Sequence, residues 1–300
     1  MFFQQIINGL TVGGVYALIA LGYTMVYGVL ELINFAHGEV YMIGAYLGII
    51  FFGLFTATGL TSHSLILSLT MTFLLSTIFC AAYGFTIEKV AYRPLRNAPR
   101  LSPLISAIGL SIFLQNFVML TQGATDKVFP HLFSASGIEF PGVKITYLQV
   151  FILLISFFLM FLLHLFITKT RFGKAMRAVA QDKVMASLVG VDIDAIISLT
   201  FIIGSALASV AGIMVAMYYG LVNYSIGYIA GIKAFTAAVV GGIGSIPGAM
   251  FGGILLGLVE SLGAAYLSSE YKDVYAFIVL IAVLLISPSG LFGQRREEKV

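Results

Sequence analysis

Apolar and polar positions along the chain fall into long blocks, with few of the short alternations of a soluble fold. Apolar runs of about 20 residues, enough for a helix to span ~30 Å of hydrocarbon, occur at 4–29, 40–60, 64–87, 101–121, 148–168, 196–219, 229–245, 247–267 and 272–290. This pattern predicts an all-α, polytopic transmembrane helical bundle of about nine hydrophobic segments, with the seventh short or broken. No low-complexity linker divides it, so residues 1–300 read as a single transmembrane domain. The opening MFFQQIINGLTVGG has neither a basic leader nor a nearby small-residue cleavage site, and is read as part of a first span that stays in place.

Composition agrees. Apolar residues make up 60% of the chain and charged residues 10%, with a mean hydropathy of +1.03, far from the roughly one-quarter charged usage of soluble domains. The few charges are also segregated. Lys89, Arg93, Arg96 and Arg100 lie in one loop, Lys169, Arg171, Lys174, Arg177 and Lys183 in another, and Arg295, Arg296 and Lys299 in the tail. Basic loops stay inside, so these three regions are expected in the cytoplasm, with the N-terminus outside and nine crossings. A re-entrant seventh segment would instead send Arg295 and Arg296 outside. Lys127, Lys144, Lys233 and Lys272 fall outside or at that interface. The chain has no tryptophan, which leaves tyrosines such as Tyr218, Tyr219, Tyr224, Tyr228, Tyr266, Tyr271 and Tyr275 to form the interfacial belt. The single cysteine, Cys80, excludes an intrachain disulfide and a cysteine metal cluster.

Two breaks interrupt the apolar pattern. KAFTAAVVGGIGSIPGAMFGGILLG carries Gly241, Gly242, Gly244, Pro247 and Gly248. The small residues beyond this break, like Gly204, Ala208 and Gly212, let helices approach closely. The break itself reads either as packing alone or as a discontinuous helix whose freed backbone groups line a polar pathway. The second break, ELINFAHGEVYMIG, sets Glu31, Asn34, His37 and Glu39 between the first two spans. A charge at the bilayer centre costs at least about 3 kcal/mol on insertion scales, so such groups face protein or water. A gating turn, a proton relay and a metal site all use these residue types, though two groups are too few for a metal on their own. Glu260 stands isolated in the eighth segment. No conspicuous charged pair is evident in the spans.

RFGKAMRAVAQDKVMASLVGVD, from Arg171 to Asp192, is the one long charged, helix-patterned run. Arg171, Lys174, Arg177 and Gln181 share one face, and Met176, Val179, Ala180, Val184 and Leu188 the other. Gly173 sits near the start of this helix and Gly190 just past its end. Such a helix either lies on anionic lipid or docks in the groove of a cytoplasmic partner. The chain has no GxxxxGK[ST], HExxH, GxSxG or Cys/His ligand spacing, so neither a cofactor nor ATP hydrolysis by this chain is expected.

The Arg171–Asp192 string resembles the loop that permeases of bacterial ABC importers present to their ATPases. NGLTVGGVYALIALGYTMVYG, INFAHGEVYMIGAY, EKVAYRPLR, LISAIGLSIFLQN and KAFTAAVVGGIGSIPGAM resemble, over nearly the whole chain, the LivH-type permease subunit of the high-affinity branched-chain amino acid importer. The resemblance implies the ABC-importer permease fold in the bacterial inner membrane. It also implies partners: a related second permease, two cytoplasmic ATPase subunits and a periplasmic amino-acid-binding protein, with lipid around the spans and no nucleic acid. Residues 169–195 would be the ATPase-coupling loop, acting through Arg171, Gly173, Lys174, Arg177 and Gly190. Asn34, His37, Glu39, Gly241, Gly242, Gly244, Pro247 and Gly248 would serve translocation or gating. The outer loop around 123–146, where a binding protein would dock, is shorter than the family's. A proton-coupled secondary carrier using Glu31, His37, Glu39 or Glu260, and an intramembrane enzyme using His37 with Glu39, are the alternatives. Neither accounts for the docking-like helix.

Overall fold

The computed structural model describes residues 1–96, 98–99, 101–130 and 136–293. The helices, in order, are α1 (Phe2–Leu30), α2 (His37–Ala57), the single turn α3 (Leu60–His63), α4 (Leu65–Ile87), α5 (Leu101–Gln122), α6 (Tyr147–Lys169), α7 (Arg171–Gln181), α8 (Lys183–Leu188), α9 (Ile193–Tyr219), α10 (Ile226–Gly241), α11 (Ile246–Tyr266) and α12 (Lys272–Ile286). Seven are long and apolar enough to cross a membrane. The other two apolar segments form the shorter α10 and α12, of 16 and 15 residues, so the expected count of about nine resolves into seven full spans and two short ones. The bundle also carries two small antiparallel ladders outside the helical pattern. Strand β1 (Lys127–Val128) pairs with β4 (Leu221–Val222), and β2 (Gly137–Phe140) with β3 (Val143–Thr146).

Helix α1 is the axis of the molecule. It runs antiparallel to α11, and both helices present small residues to the seam. Gly9 and Gly13 meet the backbone from Gly253 to Leu258, and a Cβ on Gly13 would stand 2.9 Å from Ile254 Cα. Lipid supplies no hydrophobic drive for helix association, so this close van der Waals approach must supply it. Helix α9 is the second axis. Gly44 and Gly48 of α2 lie on Ser209 and Ile213, so α2 and α9 run parallel. Gly84 of α4 meets Phe201 and Ser205. Cys80 is fully buried here, its Sγ 3.8 Å from Val40 O.

The charges sort to the two ends of this frame. Beyond α4 one turn widens to π-helical bonding over Glu88–Tyr92. It brings Arg93 and Arg96 onto Asp194 at the start of α9, while Arg96 also pairs with Glu88. Both basic loops therefore share one end. Lys144 binds Gln4 at the opposite end through paired backbone contacts of 2.8 and 3.0 Å, and Lys127 pairs with the strand after α9. By the positive-inside rule the first end is the one expected in the cytoplasm. Between Tyr219 and Gly244, which lies beside Gly28 near the end of α1, the chain passes from outer to inner end. The seventh segment thus runs between the two ends as residues 220–225 and the short helix α10. After α12 the backbone of Leu291 and Phe292 bonds to Val240 and Gly241, again at the inner end. Arg100, Arg295, Arg296 and Lys299 lie outside the described residues.

Candidate functional site: an amphipathic helix pair and a broken membrane interior

The Arg171–Asp192 segment is two helices, where the sequence pattern suggests one. Asp182 adopts an extended conformation, φ −157° and ψ 110°, and its carboxylate accepts the Met185 N–H at 3.0 Å, capping α8. A short acidic side chain that satisfies a new helix start competes with continuing the old helix. The apolar stripe divides with it. Met176 and Val179 of α7 are buried against the bundle, whereas Val184, Met185, Leu188 and Val189 are 62–78% exposed. Thr170 caps α7 through the Gly173 N–H, and Gly173 packs on the backbone of Phe166 and Ile167. Arg171 and Lys174 face outward. Arg177 donates to the Ile167 carbonyl at the end of α6, a cation placed where the helix dipole favours it. Gly190 has φ +84°. The Val191 N–H bonds to Ala186 O and the Gly190 N–H to Ser187 O, each at 3.0 Å, the paired closure of a Schellman motif in which glycine is the residue without strain.

The second break lies inside the bundle. His37, the first residue of α2, sits beside Gly22 of α1 and Gly204 of α9, and Gly22 is eight residues, or about 12 Å of rise, from the end of its helix. Residues 31–36 return into the bundle without helix, starting from Glu31 at φ 60°. Gly38 meets Gly227 and Gly231, so the first turns of α2 and α10 abut. Between them lies Glu39, 1% exposed, accepting from Ser111 Oγ at 3.0 Å. Asn34 accepts from the Tyr92 hydroxyl at 2.8 Å, and His37 stands edge-on to Tyr23 at 4.9 Å. A carboxylate between two helix N-termini is where the partial positive charges of both favour it.

The glycine break is a packed junction. Gly241 lies on Gly248, Gly242 on Gly290 and Gly293, and the freed Val240 and Gly241 carbonyls accept from Leu291 and Phe292 at 2.9 Å. Ser245 caps α11 through Gly248 N, with Pro247 in the first turn. Those carbonyls are occupied by the chain itself, which favours the packing reading over a pathway lined by free backbone.

The family model described as branched-chain amino acid transport system / permease component matches residues 5–284. This chain belongs to that family. It is 53% identical to the high-affinity branched-chain amino acid transport system permease protein BraD of Pseudomonas aeruginosa, over 100% of this chain and 98% of that protein. It is 51% identical, with the same coverage, to LivH of Escherichia coli strain K12, which carries the same description. A probable branched-chain amino acid transport permease protein LivH of Methanocaldococcus jannaschii is 29% identical over 92% of this chain and 88% of its own length. No solved structure matches. The chain is a multi-pass inner-membrane permease, a transport subunit.

One expectation for this permease is overturned: its spans do hold a charged cluster. Lys233 of α10 lies 2.8 Å from Glu260 of α11 and 2.6 Å from Asp273 of α12, and the Tyr16 hydroxyl of α1 donates to Glu260 at 2.9 Å. Lys233, read as interfacial, is only 4% exposed. The cluster borders a cavity of about 230 Å³ near the β4 end of the bundle, lined also by Tyr218, Tyr219 and Leu221. The clue in the sequence was one isolated cation and one isolated anion in neighbouring apolar runs, each too costly in lipid to stay unpaired. Their pairing required the antiparallel packing of α10 on α11.

Proposed function

We propose that this chain is the membrane-spanning subunit of an ABC importer for branched-chain amino acids. In this reading a related second permease, two ATPases and a periplasmic binding protein complete the complex, and ATP is hydrolysed on those partners. Family membership supports the transport role. The observation that carries the coupling mechanism is the exposed apolar group Val184, Met185, Leu188 and Val189 beside the cationic face of Arg171 and Lys174, at the cytoplasmic end. Apolar side chains left in water at one spot mark a docking surface, and burying each contributes about 1.5–3 kcal/mol. The same segment is tied into the bundle by Met176, Val179 and the Arg93/Arg96–Asp194 contacts. A push on α7–α8 therefore reaches α4, α6 and α9. Residues 169–195 act as the lever, with Gly173 and Gly190 fixing its two ends, and helix rocking opens the interior where Asn34, His37 and Glu39 stand between α2 and α10. The Gly241–Gly248 junction holds α10, α11 and residues 287–293 together as one moving body.

The test is reconstitution in proteoliposomes with all partner subunits. Leucine uptake should require ATP and the binding protein, and Leu188→Asp with Val189→Asp should reduce ATPase retention on affinity capture and abolish uptake. Uptake by this chain alone under a proton gradient would establish the secondary carrier instead.

A further inference from the structure

The cavity near the β4 end joins both charges of a zwitterion to an aliphatic wall. We infer that Lys233 and Asp273 form a transit site for the carboxylate and ammonium of an aliphatic amino acid, an inference that rests on the importer reading above. Lys233 is shared between two acids. It donates to Glu260 Oε1 at 2.8 Å and to the Tyr16 hydroxyl at 3.3 Å, whereas its 2.6 Å approach to Asp273 Oδ1, a buried atom, lacks hydrogen-bond geometry. The Asp273 side chain is 47% exposed and the Lys233 side chain 5%, so the acid is approached from the cavity and the lysine lies behind it. Lys272, an exposed residue, also lines the cavity.

A substrate ammonium meets the exposed side of the Asp273 carboxylate and draws it off Lys233, and the substrate carboxylate takes the place at Lys233 Nζ that Asp273 leaves. Two opposed ion pairs then replace one shared cation. Val12, Val15, Val215 and Ile229 line the rest of the cavity and receive the side chain. The volume of about 230 Å³ is below the roughly 300–1,000 Å³ of sites for drug-sized ligands, the scale of one amino acid. A second cavity, lined by Gln5, Asn8 and Ser261, shares Glu260 and Tyr219 with it and leads toward the outer end. The resting Lys233–Glu260 pair competes with the substrate carboxylate, so binding is weak and release fast.

The experiment uses the complete reconstituted complex and a diazirine analogue of leucine, illuminated without ATP, with labelled peptides identified by mass spectrometry. Label should fall on Val12–Val15 or Ile229–Ala230. Leucine should compete it away, whereas 4-methylpentanoate, lacking the ammonium, and 3-methylbutylamine, lacking the carboxylate, should not. Asp273→Asn should cut labelling about tenfold, the loss of one charged hydrogen bond, while leaving assembly intact. The exchange Lys233→Glu with Glu260→Lys keeps a structural latch but misplaces the cation, so an assembled exchange variant should lose labelling. Label elsewhere, equal competition by the singly charged analogues, or wild-type labelling in Asp273→Asn or the exchange variant would overturn the site. If the wild-type complex still imports leucine, only the site falls; if the wild-type complex imports no leucine, the importer reading falls with it.

Discussion

Single residues in this permease matter according to how far they are from water. Arg96 shows the contrast, because it bridges Glu88, whose side chain is 0% exposed, and Asp194, whose side chain is 46% exposed. Removing a buried partner leaves an uncompensated charge and costs about 3–5 kcal/mol, while an exposed pair contributes about 0–1 kcal/mol. Glu88 also accepts from Ser198 of α9 at 2.7 Å, so its loss unties two helices. Glu88→Ala should therefore lower the thermal unfolding midpoint in detergent by several degrees more than Asp194→Ala. Equal shifts would mean that Arg96 is not held by Glu88. Gly190 was legible from sequence as a helix terminator, because only its φ was at stake. Lys233 was not, because its partners lie on other helices.

At the scale of elements, small residues decide which helices touch. The α1–α11 seam has no room for side chains at Gly13 or Gly257, so Gly257→Leu should prevent stable folding, seen as loss of the monodisperse peak in size-exclusion chromatography. Gly109 of α5 has open space around it, and Gly109→Leu should leave that peak unchanged. Comparable behaviour of the two variants would refute the close-packing account. The split of α7 from α8 follows the same logic of local competition: Asp182 satisfies a new helix start, and the second half of the amphipathic stripe turns outward. Asp182→Ala should remove this cap, at a cost of about 1 kcal/mol. Hydrogen exchange should then show faster protons at Val184–Ala186 with little change in the buried half of α7.

For the whole molecule, orientation is the property to test. In a Cys80→Ala background, a cysteine at Asp126 or Glu139 should react with an impermeant thiol reagent added outside intact cells, and one at Lys174 should react only after permeabilisation. Cys80 is fully buried, so the parent chain should show little labelling of its own. The opposite pattern would invert the bundle and the coupling mechanism together. Labelling of a cysteine at Arg295 from outside would mean that the seventh segment does not cross.

The sequence by itself determined the spans, their number to within the two short helices, the segregation of basic loops and the small-residue faces. Each of these is written in local periodicity, length or charge, and the bilayer, as a uniform apolar solvent, enforces them one segment at a time. Only the tertiary structure decided that α2 begins inside the bundle against α10 and that the glycine break is closed by residues 287–293. It alone brought Lys233, Glu260 and Asp273 from three helices to one cavity wall. These are distances between segments far apart in the chain, and they follow from which faces pack together, a choice that hydropathy averaged along a single helix does not encode.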